Sequence, residues 1–394
     1  MSRQWRSDDT DSWKEGFGPG DSGSTYSVPA NEGCSASITT KTVTLATAGG
    51  FANDQLVLIH QTRGTGAGNW ELNKIVSGGG TTTLTMKYDT MNAYTDSGNN
   101  QAQIIEMKSY EGVNPGSISA PTWDGSKGLI LAWFDKTTTT INGTLTLKGN
   151  NGSAGSSTGA GGNGIAFDGG DGKAGASGIQ AYSGEGSVGA TVAQTGANGS
   201  GGGGGKAGSS IGQGGGGGGG GNATAGTNGN TGGTNGTLGT GGLEVGNAAL
   251  TSMHPGGGGG GGARHTTGTN EISGGGAGGA MALIFASDII VSGTINLDGG
   301  DSGNAYWNGG GGAGGSCLLK CITATLGSGL ITAPGGLAVS LGTNRGGVGS
   351  VGRIHIDYSK SFTGTTNPTI DSTLDTTITA GGGSSFQMLM MGIG

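Results

Sequence analysis

The sequence predicts a mainly β protein with almost no α-helix: an N-terminal β domain, then Gly-bounded, β-solenoid-like strand repeats with a polyglycine type II helix bundle inserted. Three observations carry this. Gly accounts for 98 of 394 residues and forms unbroken runs at 201–205, 214–221 and 256–262. Apolar segments bounded by glycines recur on both sides of those runs. Short alternating or continuous apolar stretches separated by Gly, Asn and Asp fill the N-terminal third, as strands do.

Residues 1–33 read as an extended polar arm. Its Trp5, Trp13, Phe17 and Tyr26 are spaced too widely for a helix face. Large aromatics in such an arm either anchor in pockets of a partner or fold back on their own domain. Trp5, Trp13 and Phe17 are the anchoring candidates. The opening MSRQWRSDDTDSW lacks the apolar core of a secretory signal.

Residues 34–117 form the expected small β domain. Strands are predicted over 37–46, 55–60, 72–76, 83–87 and 102–108. His60 sits in one of them without a nearby base or nucleophile, so it reads as structural.

Residues 118–358 carry the repeats. Copies span 128–149 (GLILAWFDKTTTTINGTLTLKG), 279–299 (GAMALIFASDIIVSGTINLDG) and 315–335 (GSCLLKCITATLGSGLITAPG), with a truncated copy at 351–358. Stacked copies of such a unit bury a shared core. Aligned on their glycines, Cys317 and Cys321 share columns with Met281 and Phe285, and with Ile130 and Phe134. They therefore read as buried small hydrophobes. Three cysteines, counting Cys34, make no disulfide framework.

The glycine insertions fall at about 150–278 and 300–314. Composition leaves a flexible linker open. The ordered alternative is a bundle of polyproline-II-like rods. Such helices lack internal hydrogen bonds and must find partners in neighbours. Their axes approach closely only where side chains are missing. Residues 214–221 would span roughly 25 Å, with 256–262 similar, which suits antiparallel or mixed rods joined by exposed loops. Collagen is excluded by the lack of a Gly-X-Y period and by only 7 Pro. Residues 359–394 read as a polar tail ending in FQMLMMGI, either a partner contact or a closing strand.

A net charge of −7 argues against nucleic acid, and no apolar run reaches the length of a membrane span. Ser200 to Ala207 fails as a P-loop: Ser200 replaces the first Gly and Ala207 the Mg²⁺-binding Ser/Thr. Asp168, Asp171, Asp298 and Asp301 are weak Ca²⁺ candidates on Gly turns. Glu185, Glu244 and Glu271 are isolated in polar loops, and no carboxylate pair suggests hydrolysis. The expectation is therefore no enzyme and no cofactor. Binding is expected in the loops beside the longest runs, 222–237 and 263–272, through Asn222, Thr227, Asn228, Asn230, Asn235, Arg264, His265 and Glu271.

The strand repeats, the segment PTWDGSKGLILAW (121–133) and the GGGGAGG-type insertions resemble a glycine-rich family of bacteriophage and bacterial genomes. The rods resemble those of T-even-like tail-tip adhesins, which carry a polyglycine-II sandwich with host-specific loops at its tip. The likeness covers most of 40–358. It implies a virion protein, made in the host cytoplasm without a signal peptide and extracellular after lysis. Its implied role is to attach to a host-surface glycan or outer-membrane protein beside other virion structural proteins, as a homo-oligomer or part of a larger assembly. The N-terminal β domain departs from that pattern and leaves tail tip, fibre, baseplate and capsid mounting open. A bacterial surface or filament protein is the alternative, and an ice-binding protein the third.

Overall fold

The computed structural model describes residues 23–210, 213–230, 236–265, 271–380 and 386–388, with backbone only for 340–344, 379–380 and 386–388. Trp5, Trp13 and Phe17 lie outside these residues. The described chain is mainly β and contains no α-helix.

The N-terminal sheet has six antiparallel strands in the order Asn31–Gly33, Gln101–Glu106, Leu56–Arg63, Trp70–Ser77, Thr83–Met86, Thr42–Thr44. Its central run 56–59, LVLI, is continuously apolar because both faces are covered. Val57 and Ile59 pack with Ile75, Leu84, Met86 and Ile104 in a small core. Leu56 and Leu58 on the other face join the main core with Trp70, Leu72 and Ile105. Alternation would have left one face in water.

The main sheet begins earlier than expected, since Lys108–Tyr110 already pairs in parallel with Ile130–Ile141. Beside that strand lie Met281–Val291, Ser316–Thr332 and Arg353–Asn367, all parallel. The fourth copy is thus not truncated, and its strand runs across the expected tail boundary at 358. Trp133, Ile284, Leu319 and Ile356 form one in-register column, each of them buried. Past the central glycines a second parallel ladder brings Leu145, Ile295 and Ile331 together.

The glycine alignment misplaces the third copy by one residue. Cys317 lies opposite Ala282, not Met281, and Lys320 rather than Cys321 lies opposite Phe285. Thr325 faces Ile290 while Ile331 faces Ile295, so this copy spends one extra residue between the ladders. Gly327 and Gly329, at φ 68 and 64, absorb it. Both cysteines are nevertheless buried, and burial pushes their thiols up to about 12.

The crossovers joining these parallel strands are glycine rods, out and back. Besides the two expected insertions, 333–337 and 345–352 form a third such pair before the strand Arg353–Asn367. Rod 256–262 shows the packing rule. Its N–H groups donate in strict rotation to rods 272–279 (Gly256, Gly259 and Gly262), 214–221 (Gly257 and Gly260) and 181–186 (Gly258 and Gly261), at 2.8–3.2 Å. Its carbonyls accept in the same rotation from Ala313 and Gly310, from Gly202 and Gly205, and from Gly170 and Lys173. Six neighbours surround one rod, and every third residue faces the same one. That is the periodicity of a threefold extended helix. A Cβ on any of these seven glycines would fall well inside 3.0 Å of a neighbouring carbonyl oxygen.

Of the arm, Tyr26 folds back, stacking on Tyr110 at 6.1 Å and meeting Trp133 edge-on at 6.1 Å. At the other terminus Phe386–Met388 pairs antiparallel with Ile378–Ala380.

Candidate functional site

The rods have two unlike ends. At the base they run into the parallel strands and meet the N-terminal sheet. At the far end, short strands tie the turns together. Ala154–Gly155, Ile272–Ser273, Ala305–Trp307 and Ser340–Asn344 form one ladder. Thr158–Gly159, Gly172–Gly175, Ala263–His265 and Gly214–Gly215 form the other.

This layout separates the residues expected to bind together. Asn222 lies at the base and is buried, so it cannot present its amide to a receptor. Its side chain donates to the Gly314 carbonyl at 2.7 Å, and its N–H donates to Ser350 Oγ at 2.7 Å. Thr227, Asn228 and Asn230 are exposed, but on an outer rod rather than a loop. Gly226 and Gly229 donate to Gly242 and Gly239, while Thr227 and Asn230 donate to Val348 and Arg345. Asn228 Oδ1 accepts from the Gly241 N–H at 2.8 Å. Asn235 lies outside the described residues.

Arg264, His265 and Glu271 do reach the far end together. Arg264 is buried, its guanidinium donating to the carbonyls of Ser156 and His265, so it braces the turn rather than facing outward. His265 is half-buried and Glu271 exposed. Sequence reasoning missed their aromatic and cationic neighbours. Lys173 lies over the Tyr182 ring at 5.2 Å, and Tyr306 meets Trp307 edge-on at 5.3 Å. Their signal was weak, because single aromatics in glycine-rich sequence show no periodicity.

The Ca²⁺ candidates form no chelate. Three residues along a threefold rod separate Asp168 from Asp171, and Asp298 from Asp301, by about 9 Å. Asp171 instead accepts from the Gly161 N–H, Asp298 from Thr332 Oγ1 and Asp301 from the Leu337 N–H. Among the described residues no three His, Cys, Asp or Glu side chains cluster to hold a metal.

Two of the glutamates expected to be isolated are paired. Glu244 meets Arg353 at 3.1 Å. Glu185 is buried between the sheet domain and the rods. It forms an ion pair with Arg63, accepts from Trp123 Nε1 at 3.0 Å, and accepts the Asp168 N–H at 3.3 Å. Burial pushes its carboxyl up, against the pull of the Arg63 charge. Burial, then the Glu185 charge, pushes Asp168 up to about 7.

A second contact seats the sheet domain on residues 250–254. His60 Nε2 donates to the Met253 carbonyl at 3.0 Å, while Nδ1 accepts from Thr62 Oγ1 at 2.9 Å. Trp70 Nε1 donates to the Leu250 carbonyl at 3.0 Å. Burial holds His60 at about 4 and His254 at about 3, so both are neutral. His60 is structural, as its sequence setting suggested.

No helix among the described residues is long and apolar enough to cross a membrane. No protein-family model, curated protein or solved structure matches this chain.

Proposed function

We propose that the chain is a non-enzymatic structural virion protein, a phage tail-fibre, tail-tip or baseplate-associated adhesin that engages a host-surface glycan or outer-membrane protein. The observation that carries this reading is the partition of side chains along the rods. The middle of the bundle is bare backbone, while Lys173, Tyr182, His265, Glu271 and Tyr306 gather at the far end. A bundle hydrogen-bonded through its interior is a rigid spacer. It holds a small polar and aromatic surface away from a base suited to mounting, with the sheet domain at that base. The turns at the far end tolerate exchange because the rods beneath them do not depend on their sequence.

Immunogold electron microscopy of particles from a producing culture, with antibody raised against the far-end segment 263–272, tests the reading. Label at virion tails or fibres is the expected result. Label on cell envelopes or free filaments, with virions bare, would replace it with a bacterial surface protein.

A further inference from the structure

The stretches that link the rods at the far end differ in charge from the chain beneath them. Segments 155–158, 172–180, 206–213, 230–237, 263–272, 303–308 and 338–345 hold four fixed cations, Lys173, Lys206, Arg264 and Arg345, against one carboxylate, Glu271. Four less one gives +3 in a chain of net charge −7, so everything else sums to −10. Charge is screened over about 8 Å at physiological salt. The rods span roughly 25 Å, so the acidic base does not cancel the cations at the tip. An anion is repelled by most of this surface and attracted at one end.

Two of the cations converge. Lys173 and Lys206 each stand where a rod ends, and both rods bond to the same third rod. The Tyr182 N–H donates to the Asp171 carbonyl at 3.0 Å, and the Ala181 N–H donates to the Gly205 carbonyl at 2.9 Å. Gln180 forms an antiparallel bridge with Lys206. The Lys206 side chain leans over the turn that Lys173 opens, its Cε 3.7 Å from where a Cβ on Gly178 would sit. Lys173 is held over the Tyr182 ring at 5.2 Å, and both lysines stay partly exposed. A cation already placed by an aromatic face has less freedom to lose on binding. Asp171, the carboxylate nearest Lys173 in the sequence, accepts from the Gly161 N–H at 2.8 Å. Arg264 lies opposite Ala174 in the ladder and adds its charge beside the same turn. Hydroxyl and amide side chains outnumber large apolar ones in these stretches. That suits a hydroxyl-rich ligand and lacks the apolar centre of a protein interface.

We propose that the far end binds an acidic glycan, with Lys173 and Lys206 holding a carboxylate or phosphate of the sugar chain over the turn 174–180. This rests on reading the far end as the binding surface and narrows its ligand to an anionic polysaccharide.

The full chain applied to an array of uronate-bearing, phosphorylated and neutral glycans tests it. Acidic glycans are expected to be bound and neutral ones not, with binding weakening as salt rises. The carboxylated and phosphorylated members tell which anion fits. Lys173→Gln and Lys206→Gln should each weaken binding about threefold and together about tenfold. Lys148→Gln at the base should leave it unchanged. Neutral glycans bound as well as acidic ones, no acidic glycan bound, wild-type binding by the double variant, or an equal loss from Lys148→Gln overturns the inference. So does binding to outer-membrane vesicles of the host that disappears on protease treatment, which assigns the surface to a protein ligand. Acidic-glycan binding with virions bare of antibody label removes the virion role alone. Labelled virions with a preference for neutral glycans remove this inference alone.

Discussion

The N-terminal sheet and the glycine bundle solve the same packing problem with opposite materials. The sheet fills its interior with Val57, Ile59, Ile75, Leu84 and Ile104, side chains with one best fit and some tolerance. The bundle fills its interior with backbone. Around rod 256–262 every N–H, and every carbonyl from Gly257 to Gly262, is matched to a particular neighbour, and there is no side chain to trim or shift. Glycine is the residue that loses most freedom on folding, so the rods are held by contacts that only the assembled bundle supplies. A side-chain core degrades by degrees; a backbone core admits no partial substitution.

That contrast can be broken by measurement. The largest effect is expected at Gly260, whose Cβ would run into the Gly203 carbonyl. Gly260→Ala should cost more than the roughly 3 kcal/mol usual for overpacking, and Gly260→Val should abolish cooperative unfolding, both read by thermal melts. If Gly260→Ala costs no more than removing a methyl from the sheet, the backbone account is wrong. Ile59→Ala in the sheet core should cost about 2–5 kcal/mol and Ile59→Val about 0.5–1.5, by denaturant titration.

Acid should next separate the N-terminal sheet from the parallel strands that carry the rods. His60 holds the seat only while neutral. Its value falls from 6.5 to about 4 on folding, so its contribution is whole above 6.5 and is lost as pH drops toward 4. The loss amounts to roughly 3 kcal/mol. His355 runs the other way. Burial opposes its charge, but Asp357 and Asp371, with Asp371 at 2.7 Å, hold it above its usual value. Its contribution is therefore whole below 6.5 and fades as pH rises through that raised value. Unfolding curves of wild type, His60→Gln and His355→Gln across this range should show opposite changes in slope.

The smallest stability effects should lie on the bundle surface. Thr227→Ala and His265→Ala should each stay within about 0.5 kcal/mol in thermal melts. Cell-binding assays should then divide them, with His265→Ala weakening adsorption and Thr227→Ala leaving it intact. Equal losses from both would move the binding surface to the flank of the rods.

Periodicity was legible wherever side chains carry it. The buried run around Val57 and the strands opening each repeat could be read from the sequence, because apolar residues mark them. The one-residue offset of Cys317 could not be, since the glycines used to align the copies also hide the extra residue near Gly327. Long polyglycine runs announced rods, but 345–352, interrupted by Val348, Ser350 and Val351, did not. The candidate site was least legible. Asn222 and Arg264 look like loop residues from their neighbours, and only the hydrogen bonds of the folded chain place them inside. Glu185 looked isolated because its partner Arg63 is far away in the sequence.

Rotation of hydrogen bonds every third residue also sets which lengths evolution can sample. Adding or deleting three residues in a rod and its neighbours leaves each remaining donor aimed at its old acceptor and changes the reach by about 9 Å. Adding one or two turns every later donor toward the wrong neighbour. Length variants of this chain should therefore be quantised, with rod insertions in multiples of three while the terminal turns vary freely. Reach and recognition can then change independently.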